Sequence, residues 1–529
     1  MITRLKSATF MGINAISVDV EVFITTGIPG VMIVGLPDTS TKEAKDRVKA
    51  AIKNSGFDYP IKKITINLAP ADIRKAGSTF DLPLAIGILI SARLLKCEIN
   101  LDDYIIAGEL SLNGKLNKVN GLIALGILAK KLNKAIIIPN ENKETAEFLG
   151  VNFKSFDTLK GVCKFISGEK EELILTNSKE NNLSNFMDFN FYIKQKELKD
   201  NKNNDCPDFL DIKGHELAKR ALEVAVSGHH NILMVGPPGS GKTMIAKSAM
   251  GVLPDISLEE SIETSNIYSF SNKKFKENEE EYNLISRRPF ISVHHTITTA
   301  GLIGGGGANP VPGDISLAHN GVLFIDEFSE LSKKTLDSLR QPMEDKVVNL
   351  SRSRFSILFP CDFMLIAAMN PCPCGYYGDE NHECRCSSAE IYKFYNKLSG
   401  PILDRFDIFI DVYSVNLKKL MDNKTGESSK EVKERIKQTE KFQSERRAGA
   451  SIMFNSSLNS SGIRKYINIS DSTLSFYNEV CQKLNISSRA YHRTLKVART
   501  IADIERRDTL DEDSILEALN YRNTKFLKV

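Results

Sequence analysis

The N-terminal third of the chain alternates short β-branched runs with longer helical patterns. The short runs predict strands at Ala15–Thr25, Val31–Val34, Lys63–Leu68, Tyr104–Leu110 and Ala135–Pro139. Apolar residues spaced three or four positions apart predict helices at Thr41–Ser55, Leu82–Leu95 and Leu122–Leu132. Residues 1–167 are therefore expected to form a mixed α/β domain.

The pattern changes at residue 168. Asn, Lys and Glu dominate residues 168–207, which predicts a solvated linker with one docking strand at Phe186–Ile193. An α/β pattern follows over residues 208–415 and begins with a helix, a strand and a second helix at His215–Val226, Asn231–Val235 and Thr243–Val252. Residues 416–529 are predicted to be mostly helical, with helices at Lys430–Arg447, Asp471–Leu484, Arg489–Arg506 and Glu512–Asn520.

Composition excludes several classes of protein. With 529 residues, of which 42% are hydrophobic and 26% charged, the chain can bury a large core. The longest apolar stretch, Leu82–Ala92, is too short to span a membrane, and Asp19 and Glu21 rule out a secretion signal.

Seventy basic and 66 acidic residues give a formal charge of +4, too small to establish a nucleic-acid partner. Nine cysteines, four of them close together, indicate a reducing, cytoplasmic location.

A glycine-rich sequence follows the predicted strand at 231–235. It fits the pattern G-x-x-x-x-G-K-[ST] and consists of Gly236, Pro237, Pro238, Gly239, Ser240, Gly241, Lys242 and Thr243. Glycines let successive backbone N–H groups turn toward a phosphate, and the next helix adds its positive N-terminal end. In this pattern Lys242 reaches the β- and γ-phosphates of ATP, and the Thr243 hydroxyl ligates Mg²⁺.

Two further apolar strands end in polar residues that suit the same site. The first delivers Asp326, expected to help hold Mg²⁺, and then Glu327, suited to activate the attacking water as a general base. The second runs from Phe363 to Met369 and ends at Asn370. The Asn370 amide is expected to orient the water or to contact the γ-phosphate.

These motifs together resemble those of AAA+ ATPases. The resemblance narrows to the magnesium-chelatase-like branch, and more closely to the YifB/ComM family, at Pro289–Thr296, Gly304–Gly307, Pro312–Glu327 and Asn370–Gly375. It covers nearly the whole chain. It implies a Lon-protease-like domain at 1–167, an AAA+ ATPase domain at 208–415 and a C-terminal helical lid at 416–529. It also implies assembly into a homo-oligomeric ring, expected to be a hexamer.

The resemblance implies arginines that act on the nucleotide. Arg405 matches the arginine finger, which reaches the γ-phosphate held by a neighbouring subunit. A structural alternative is that Arg405 pairs with Asp404 or Asp407. Arg489, which opens a C-terminal helix, matches the sensor-2 arginine, and Arg493, one turn further on, is the alternative position.

The N-terminal segments Ala107–Gly114, Val119–Ile123 and Ile136–Pro139 resemble the Lon-type protease fold. At the position of that family's serine nucleophile this chain has Leu84, and at the position of its lysine it has Ile123. Neither side chain can attack a carbonyl or accept a proton, so peptidase activity is not expected. The domain is expected to serve as a scaffold, or as a surface for ring assembly or DNA.

The segment Lys346–Phe359 predicts a hairpin with Arg352 and Arg354 at its tip. In this branch of AAA+ proteins such a hairpin points into the ring pore, where the two arginines would contact a nucleic-acid backbone. A solvated hairpin tip is the alternative.

A cysteine cluster follows the Asn370 strand. Its members are Cys372, Cys374, Cys384 and Cys386, with His382 nearby. Four thiolates would suit a tetrahedral Zn²⁺ site that staples a loop with little core of its own. The C-x-C spacing is tighter than the common C-x₂-C, and four reduced structural cysteines remain the alternative.

The resemblance implies an ATP-driven ring motor that acts on branched or single-stranded DNA, namely a branch-migration helicase in recombination and natural transformation. Two alternatives stay open: a magnesium-chelatase-type motor, and a protein-remodelling ATPase without helicase activity. The Lon-like domain argues against the chelatase alternative, because a chelatase motor subunit does not usually carry one. The chain also lacks the D-x-S-x-S signature of the chelatase partner subunit.

Overall fold

The computed structural model describes residues 2–73, 75, 77–169, 193, 206–271, 284–306, 310–352, 355–379, 381–415, 426–447 and 454–522. The chain divides into two compact units. The first is drawn from residues 1–199, 257–286 and 306–311, and the second from residues 200–256, 287–305 and 312–529. Apart from 168–169, 193 and 206–207, the predicted linker lies outside the described residues. Among described residues, no helix has both the length and the apolarity to cross a membrane.

The first unit is built on a seven-stranded mixed sheet of order β3-β4-β2-β1-β5-β8-β9. Its strands are β1 (Ile2–Met11), β2 (Asn14–Thr25), β3 (Gly30–Val34), β4 (Lys63–Ala69), β5 (Tyr104–Ile106), β8 (Ala135–Pro139) and β9 (Phe153–Phe156), and β6 (Glu109–Leu110) pairs separately with β7 (Leu116–Asn117). Its helices are Thr39–Asn54, Asp81–Ser91, Leu122–Leu132, Lys143–Leu149, Leu159–Ile166 and Leu258–Ser269.

The core of the first unit follows from the alternation along β2. Val18, Val20 and Val22 are fully buried on one face of the sheet, whereas their neighbours along the strand are partly exposed. The helix Asp81–Ser91 is apolar on all sides and is buried from Asp81 to Ile90. Helix and sheet therefore enclose one apolar core.

In the first unit, one strand was not predicted and one predicted strand is divided. Strand β1, which pairs antiparallel with β2 along its whole length, was not among the predicted strands. The predicted strand Tyr104–Leu110 is two strands, because the backbone of Gly108 leaves the sheet. Its N–H donates to the Thr79 carbonyl at 3.1 Å, and its carbonyl accepts from the Leu82 N–H at 3.0 Å.

A segment inside the predicted ATPase region belongs to the first unit. The Asn266 side-chain amide donates to the Ile13 carbonyl at 3.0 Å. The rings of Phe10 and Phe270 lie 5.5 Å apart, centroid to centroid. Residues 257–286 are therefore grouped with the N-terminal sheet. The boundaries 1–167, 168–207, 208–415 and 416–529 remain predictions.

The second unit is built on a five-stranded parallel sheet of order β11-β14-β17-β10-β18. These strands are β10 (Ile232–Val235), β11 (Phe290–Val293), β14 (Val322–Ile325), β17 (Met364–Met369) and β18 (Ile408–Asp411). Short two-stranded ladders are formed by β12 (Gly304–Gly305) with β13 (Val311–Pro312), β15 (Val347–Arg352) with β16 (Phe355–Pro360), and β19 (Asn468–Ile469) with β20 (Thr509–Leu510). The mixed α/β fold class is confirmed.

Helices cover this sheet and make up most of the described residues from Ser429 to Asn520. They are Glu216–Gly228, Lys242–Val252, Thr299–Ile303, Asp314–Leu317, Lys333–Ser338, Arg340–Asp345, Ser388–Lys397, Gly400–Leu403, Ser429–Arg446, Ser460–Tyr466, Asp471–Lys483, Ser488–Ile504 and Glu512–Asn520. The four predicted C-terminal helices are confirmed, and Ser460–Tyr466 was not predicted. Apolar residues of these C-terminal helices share one buried cluster with β10, β14, β17 and β18.

Candidate functional site

Four buried residues of β10 lead directly into the glycine-rich loop. We call residues 236–243 the phosphate loop. Gly241 has a φ of +85°, a left-handed conformation that L side chains rarely adopt, and the helix Lys242–Val252 starts at the next residue. The sequence therefore folds here into a strand, a tight turn and a helix whose N-terminus faces the loop.

Lys242 is buried inside this loop, with 8% of its surface exposed. Its ammonium donates to the carbonyl oxygens of Gly236 at 2.7 Å and Pro237 at 2.8 Å. Burial lowers the pKa of Lys242 to about 8, although the nearby Asp326 raises it. Neutral carbonyls do not cancel a buried positive charge, so the loop suits an anionic ligand.

The hydroxyl of Thr243 and the carboxylate of Asp326 meet beside the loop. Thr243 Oγ1 donates to Asp326 Oδ2 at 2.8 Å. Thr243 lies in the first turn of its helix, and Asp326 directly follows β14. Hydroxyl and carboxylate oxygens are the ligands that Mg²⁺ prefers, so these two residues fit a magnesium site.

Asn370 joins this group from a third strand. It directly follows β17, which lies between β10 and β14 in the sheet. Its Oδ1 accepts from Lys242 Nζ at 3.4 Å. The carboxyl ends of three adjacent parallel strands thus bring Lys242, Asp326 and Asn370 together, at the edge where open α/β sheets bind ligands.

Glu327 stands beside His295, a residue to which the sequence analysis gave no role. Nδ1 of His295 lies 2.5 Å from Oε2 of Glu327, a close contact that is not an aligned hydrogen bond. Strands β11 and β14 pair in register at Val293 and Ile325, so the two side chains lie two residues beyond a paired position. The pairing of β11 with β14 brings these two residues together, and this pairing cannot be predicted from the sequence alone. His294, His295 and Glu327 also lie close enough together to hold a metal ion.

Arg405 lies at the other edge of the sheet. Asn231, which precedes β10, donates its side-chain amide to the Arg405 carbonyl at 3.1 Å. The Arg405 guanidinium donates to the carbonyls of Arg340 at 2.9 Å and Pro401 at 2.6 Å, and it pairs with the Glu344 carboxylate. The structure therefore does not bring Arg405 to the phosphate loop of its own chain.

The structure shows that the acidic partner of Arg405 differs from the two partners suggested by the sequence. Its partner is Glu344, 61 residues away in sequence, and neither Asp404 nor Asp407. Asp407 pairs instead with Arg493, whose Nη1 donates to Asp407 Oδ1 at 2.6 Å. Desolvation, the largest single influence, raises the pKa of this buried carboxyl, but Arg493 and His230 together outweigh it and hold the pKa of Asp407 well below its usual range.

The two sensor-2 candidates differ in their surroundings. Arg493 Nη1 also donates to the Arg405 carbonyl at 3.3 Å, so Arg493 stands beside the predicted arginine finger. Arg489 is exposed, and within the described part of the chain its side chain makes no hydrogen bond or ion pair. Arg493 is thus committed to the fold, whereas the Arg489 side chain is available for a ligand.

The cysteine cluster comes together in space. The Sγ atom of Cys372 lies 3.3 Å from that of Cys374 and 3.7 Å from that of Cys384, and the latter two are 3.5 Å apart. With Cys386, all four sulfurs lie within 4.8 Å of one another. His382 is outside the group, because its Nδ1 contacts Asp379 Oδ2 at 3.0 Å.

The predicted hairpin is confirmed. Strands β15 and β16 pair antiparallel from Val347 with Pro360 to Arg352 with Phe355. Arg352 therefore ends the first strand of the hairpin, as predicted. Arg354 lies outside the described residues.

Three protein families match successive parts of the chain. Residues 20–142 match the family described as "Subunit ChlI of Mg-chelatase", and residues 208–420 match "Magnesium chelatase, subunit ChlI". Residues 426–522 match "Magnesium chelatase, subunit ChlI C-terminal".

Individual relatives match over nearly the full length. Protein YifB of Escherichia coli is 40% identical over 519 residues, which are 97% of this chain and 95% of YifB. Competence protein ComM of Haemophilus influenzae is 40% identical over 518 residues, 98% of this chain and 96% of ComM. Lon protease 2 of Bacillus subtilis is 32% identical over 157 residues, 28% of this chain and 27% of that protease. With the phosphate loop and its three strands, these matches show that the chain belongs to the YifB/ComM family of magnesium-chelatase-like AAA+ ATPases.

Proposed function

We propose that this chain hydrolyses ATP at the phosphate loop, with Mg²⁺ as cofactor. One observation carries the proposal: a buried lysine, a hydroxyl–carboxylate pair and an amide meet at the ends of three adjacent parallel strands. Among the described residues, no carboxylate is in hydrogen-bond contact with this lysine. A triphosphate would supply a negatively charged partner for the ammonium group of this lysine. The hydroxyl–carboxylate pair suits the metal that accompanies a triphosphate.

The residues of the site take separate roles. Backbone N–H groups that follow the two prolines, at residues 239–241, cradle the phosphates, and Lys242 contacts the β- and γ-phosphates. Thr243 and Asp326 would hold Mg²⁺, which neutralises phosphate charge when it is bound. Glu327, with 49% of its side chain exposed, accepts the proton of the attacking water. Asn370 orients that water or contacts the γ-phosphate.

The arginines act between subunits in this proposal. Arg405 and Arg493 lie together at the amino edge of the sheet, whereas the phosphate loop lies at its carboxyl edge. A guanidinium there can reach a phosphate only in an adjoining chain, which makes a homo-oligomeric ring, expected to be a hexamer, part of the mechanism. We assign the finger role to Arg405 and the sensor-2 role to the exposed Arg489.

We further propose that the ring moves DNA, as a branch-migration helicase in recombination and natural transformation. Support comes from the near full-length similarity to ComM, which is named a competence protein, and from the hairpin that carries Arg352. A cytoplasmic location is supported by the nine cysteines, none of which forms a disulfide. Hydrolysis would move the hairpins past the nucleic-acid backbone, a contact that is independent of base sequence.

In this proposal the N-terminal unit is a scaffold and not a peptidase. Leu84 and Ile123, which occupy the Lon nucleophile and lysine positions, are 1% and 6% exposed and pack in the core. An aliphatic side chain offers no nucleophile or base at either position.

One assay separates this function from its alternatives. ATP turnover and strand separation would be measured on a synthetic four-way junction, a plain duplex and a single strand. The proposal expects turnover to rise on the junction, with strand exchange that requires hydrolysis. Turnover unchanged by every DNA form would favour the alternative of a chelatase-type or protein-remodelling ATPase, to which the magnesium-chelatase matches also point.

A further inference from the structure

We propose that Cys372, Cys374, Cys384 and Cys386 bind one zinc ion, and that this ion fixes residues 371–386, the cysteine loop, against the phosphate loop. The metal site stands on its own geometry. The second half rests on the proposed function, because it assigns the phosphate loop to nucleotide binding.

The spacing of the sulfur atoms matches a tetrathiolate zinc site. With Zn–S bonds of about 2.3 Å, the sulfurs of a regular tetrahedron are about 3.8 Å apart. The distances among the Sγ atoms of Cys372, Cys374 and Cys384 are 3.3, 3.5 and 3.7 Å. A disulfide requires an S–S distance of about 2.05 Å, so these sulfurs are not cross-linked to one another. The contacts fit four ligands around a common centre.

The described part of the cysteine loop has no regular secondary structure to order it. Its described residues, 371–379 and 381–386, contain no helix or strand. Of the four cysteines only Cys372 is buried, and the others are half-exposed. A segment of this length without a ladder or a core is the usual setting for a structural metal, whose binding energy orders the chain.

The loop is in contact with the phosphate loop. Gly375 has a φ of +89°, and a Cβ at this position would lie 2.7 Å from Cδ of Pro238. Tyr377 and Asp379 line one cleft together with Gly236 and Pro237. The cysteine loop therefore forms part of the wall behind the phosphate loop.

The first end of the cysteine loop is tied to the site, and the helix that follows the loop is tied to that first end. Asn370, directly before the loop, accepts from Lys242 at 3.4 Å. The hydroxyl of Tyr395, in the helix that follows the loop, donates to the Pro371 carbonyl at 2.6 Å. A metal that holds the four cysteines thus also restricts Asn370 and Pro238, and we expect it to preorganise the phosphate loop for nucleotide.

Metal content tests the first half of the proposal. Zinc would be measured by mass spectrometry in the purified full-length chain, and cobalt(II) would be titrated into chelator-treated protein. We expect one zinc per chain and a cobalt spectrum with intense sulfur-to-metal charge-transfer bands.

The variant Cys386→Ser should lose most of the zinc and part of the intensity of the charge-transfer bands. The matched control is Cys97→Ser, at a half-buried cysteine outside the cluster, which should keep both. Zinc well below one per chain, with no charge-transfer bands on cobalt addition, would overturn the site.

Nucleotide affinity tests the second half. Binding of Mg·ADP would be measured calorimetrically for the parent chain, Cys386→Ser and Gly375→Ala. We expect affinity to fall about tenfold in both variants, because each loosens the wall of the phosphate loop. Gly375→Ala keeps all four thiolates, so its zinc content should stay at one per chain, which makes it informative even if Cys386→Ser folds poorly.

The two proposals fail in different ways. Full affinity for Mg·ADP in a zinc-free Cys386→Ser protein, folded by circular dichroism, would overturn the coupling between the metal and the phosphate loop. A parent chain that holds stoichiometric zinc yet binds no Mg·ADP would refute the proposed ATPase function and the coupling with it, and would support the metal site.

Discussion

His295 Nδ1 and Glu327 Oε2 are 2.5 Å apart, at the ends of two neighbouring parallel strands. Glu327 has a φ of +50°, and its backbone N–H donates to Asp326 Oδ1 at 2.9 Å. The backbone of this residue is therefore held by Asp326, and its side chain lies against the imidazole. About half of the Glu327 side chain is exposed to solvent. The contact with the His295 imidazole limits the positions that the carboxylate can take.

Replacing Glu327 with glutamine tests the assigned base. Glutamine keeps the size of the side chain but cannot accept a proton, so we expect ATP turnover to fall about 10²- to 10⁴-fold. Binding of Mg·ATP should be retained, because Lys242, Thr243 and Asp326 are unchanged. Turnover would be measured by phosphate release and binding by calorimetry. Near-normal turnover would rule out Glu327 as the base.

Replacing His295 with alanine tests its positioning role. With the imidazole gone, the Glu327 carboxylate is less restricted, and we expect kcat to fall while KM for ATP changes little. His294→Ala is the comparison variant: its ring also packs against that of His295, but its Nδ1 contacts Thr296 Oγ1 at 3.0 Å, whereas Nδ1 of His295 contacts Glu327. If both alanine variants lowered kcat equally, the assignment to His295 would fail.

Lys242 predicts proton uptake on nucleotide binding. Burial lowers its pKa from 10.5 to about 8 in the free protein, so a fraction of the chains carries a neutral Lys242 at that pH. A bound phosphate favours the charged form and raises the pKa, so binding above about pH 8 should take up protons, with far less uptake near neutrality. Calorimetry with Mg·ADP in buffers of different ionisation enthalpy measures this directly. Proton uptake that is equal near neutrality and above about pH 8, or zero under both conditions, would contradict the assignment.

The same shift has a consequence for stability. The folded pKa of Lys242 lies below its unfolded value, so between pH about 8 and about 10.5 the folded chain binds fewer protons than the unfolded chain. The contribution of Lys242 to the free energy of unfolding therefore rises with pH through that window. Lys242→Met, which cannot titrate, should lack this rise in urea unfolding experiments. A rise of the same size in Lys242→Met would assign it to other groups.

Much of the candidate site could be predicted from sequence because it depends on local order. A buried strand followed by a polar residue places that residue at the carboxyl edge of a parallel sheet, whichever strands lie beside it. This is why Lys242, Asp326 and Asn370 could be grouped before the strand order was known. Their contacts then follow from the order β14-β17-β10.

The contacts that sequence could not predict join distant segments. Arg405 finds its carboxylate in Glu344, 61 residues away, and His295 meets Glu327 only because β11 pairs with β14. The strand β1 was missed because polar residues such as Arg4 and Lys6 interrupt its apolar positions, which become informative only once β2 is beside it. Pairing and register are properties of the folded sheet, and no local pattern contains them.

The two candidate sensor-2 arginines should differ in stability. Arg493→Ala leaves the buried Asp407 without its guanidinium, and we expect a loss of about 3 kcal/mol in the free energy of unfolding. Arg489→Ala removes an exposed side chain, so its effect should stay within about 0.5 kcal/mol, while ATP turnover falls if Arg489 contacts phosphate. Urea unfolding and phosphate release give both values. A stable Arg489→Ala variant with unchanged turnover would remove Arg489 from the site.

Complementation in mixed rings tests whether Arg405 acts on a neighbouring subunit. Arg405→Ala and Lys242→Ala should each be inactive alone, because every composite site then lacks one component. In an equimolar mixture, about a quarter of the interfaces join an intact Lys242 to an intact Arg405 of the next chain, so turnover should recover in part. A chain carrying both substitutions is the control, since mixing it with either single variant restores no site.

The structure makes this test sharper, because Arg405 is also a structural residue. Its guanidinium binds the Arg340 carbonyl and the Glu344 carboxylate, so Arg405→Ala could lose activity simply by loosening this region. Loss of that kind stays within the altered chain and leaves no intact site to be completed, so the mixture would be as inactive as its parts. Recovery in the mixture, with none in the control mixtures, therefore identifies an arginine that acts on its neighbour's nucleotide. Activity that stays at the level of the separate variants, in rings that still assemble, would contradict the trans assignment.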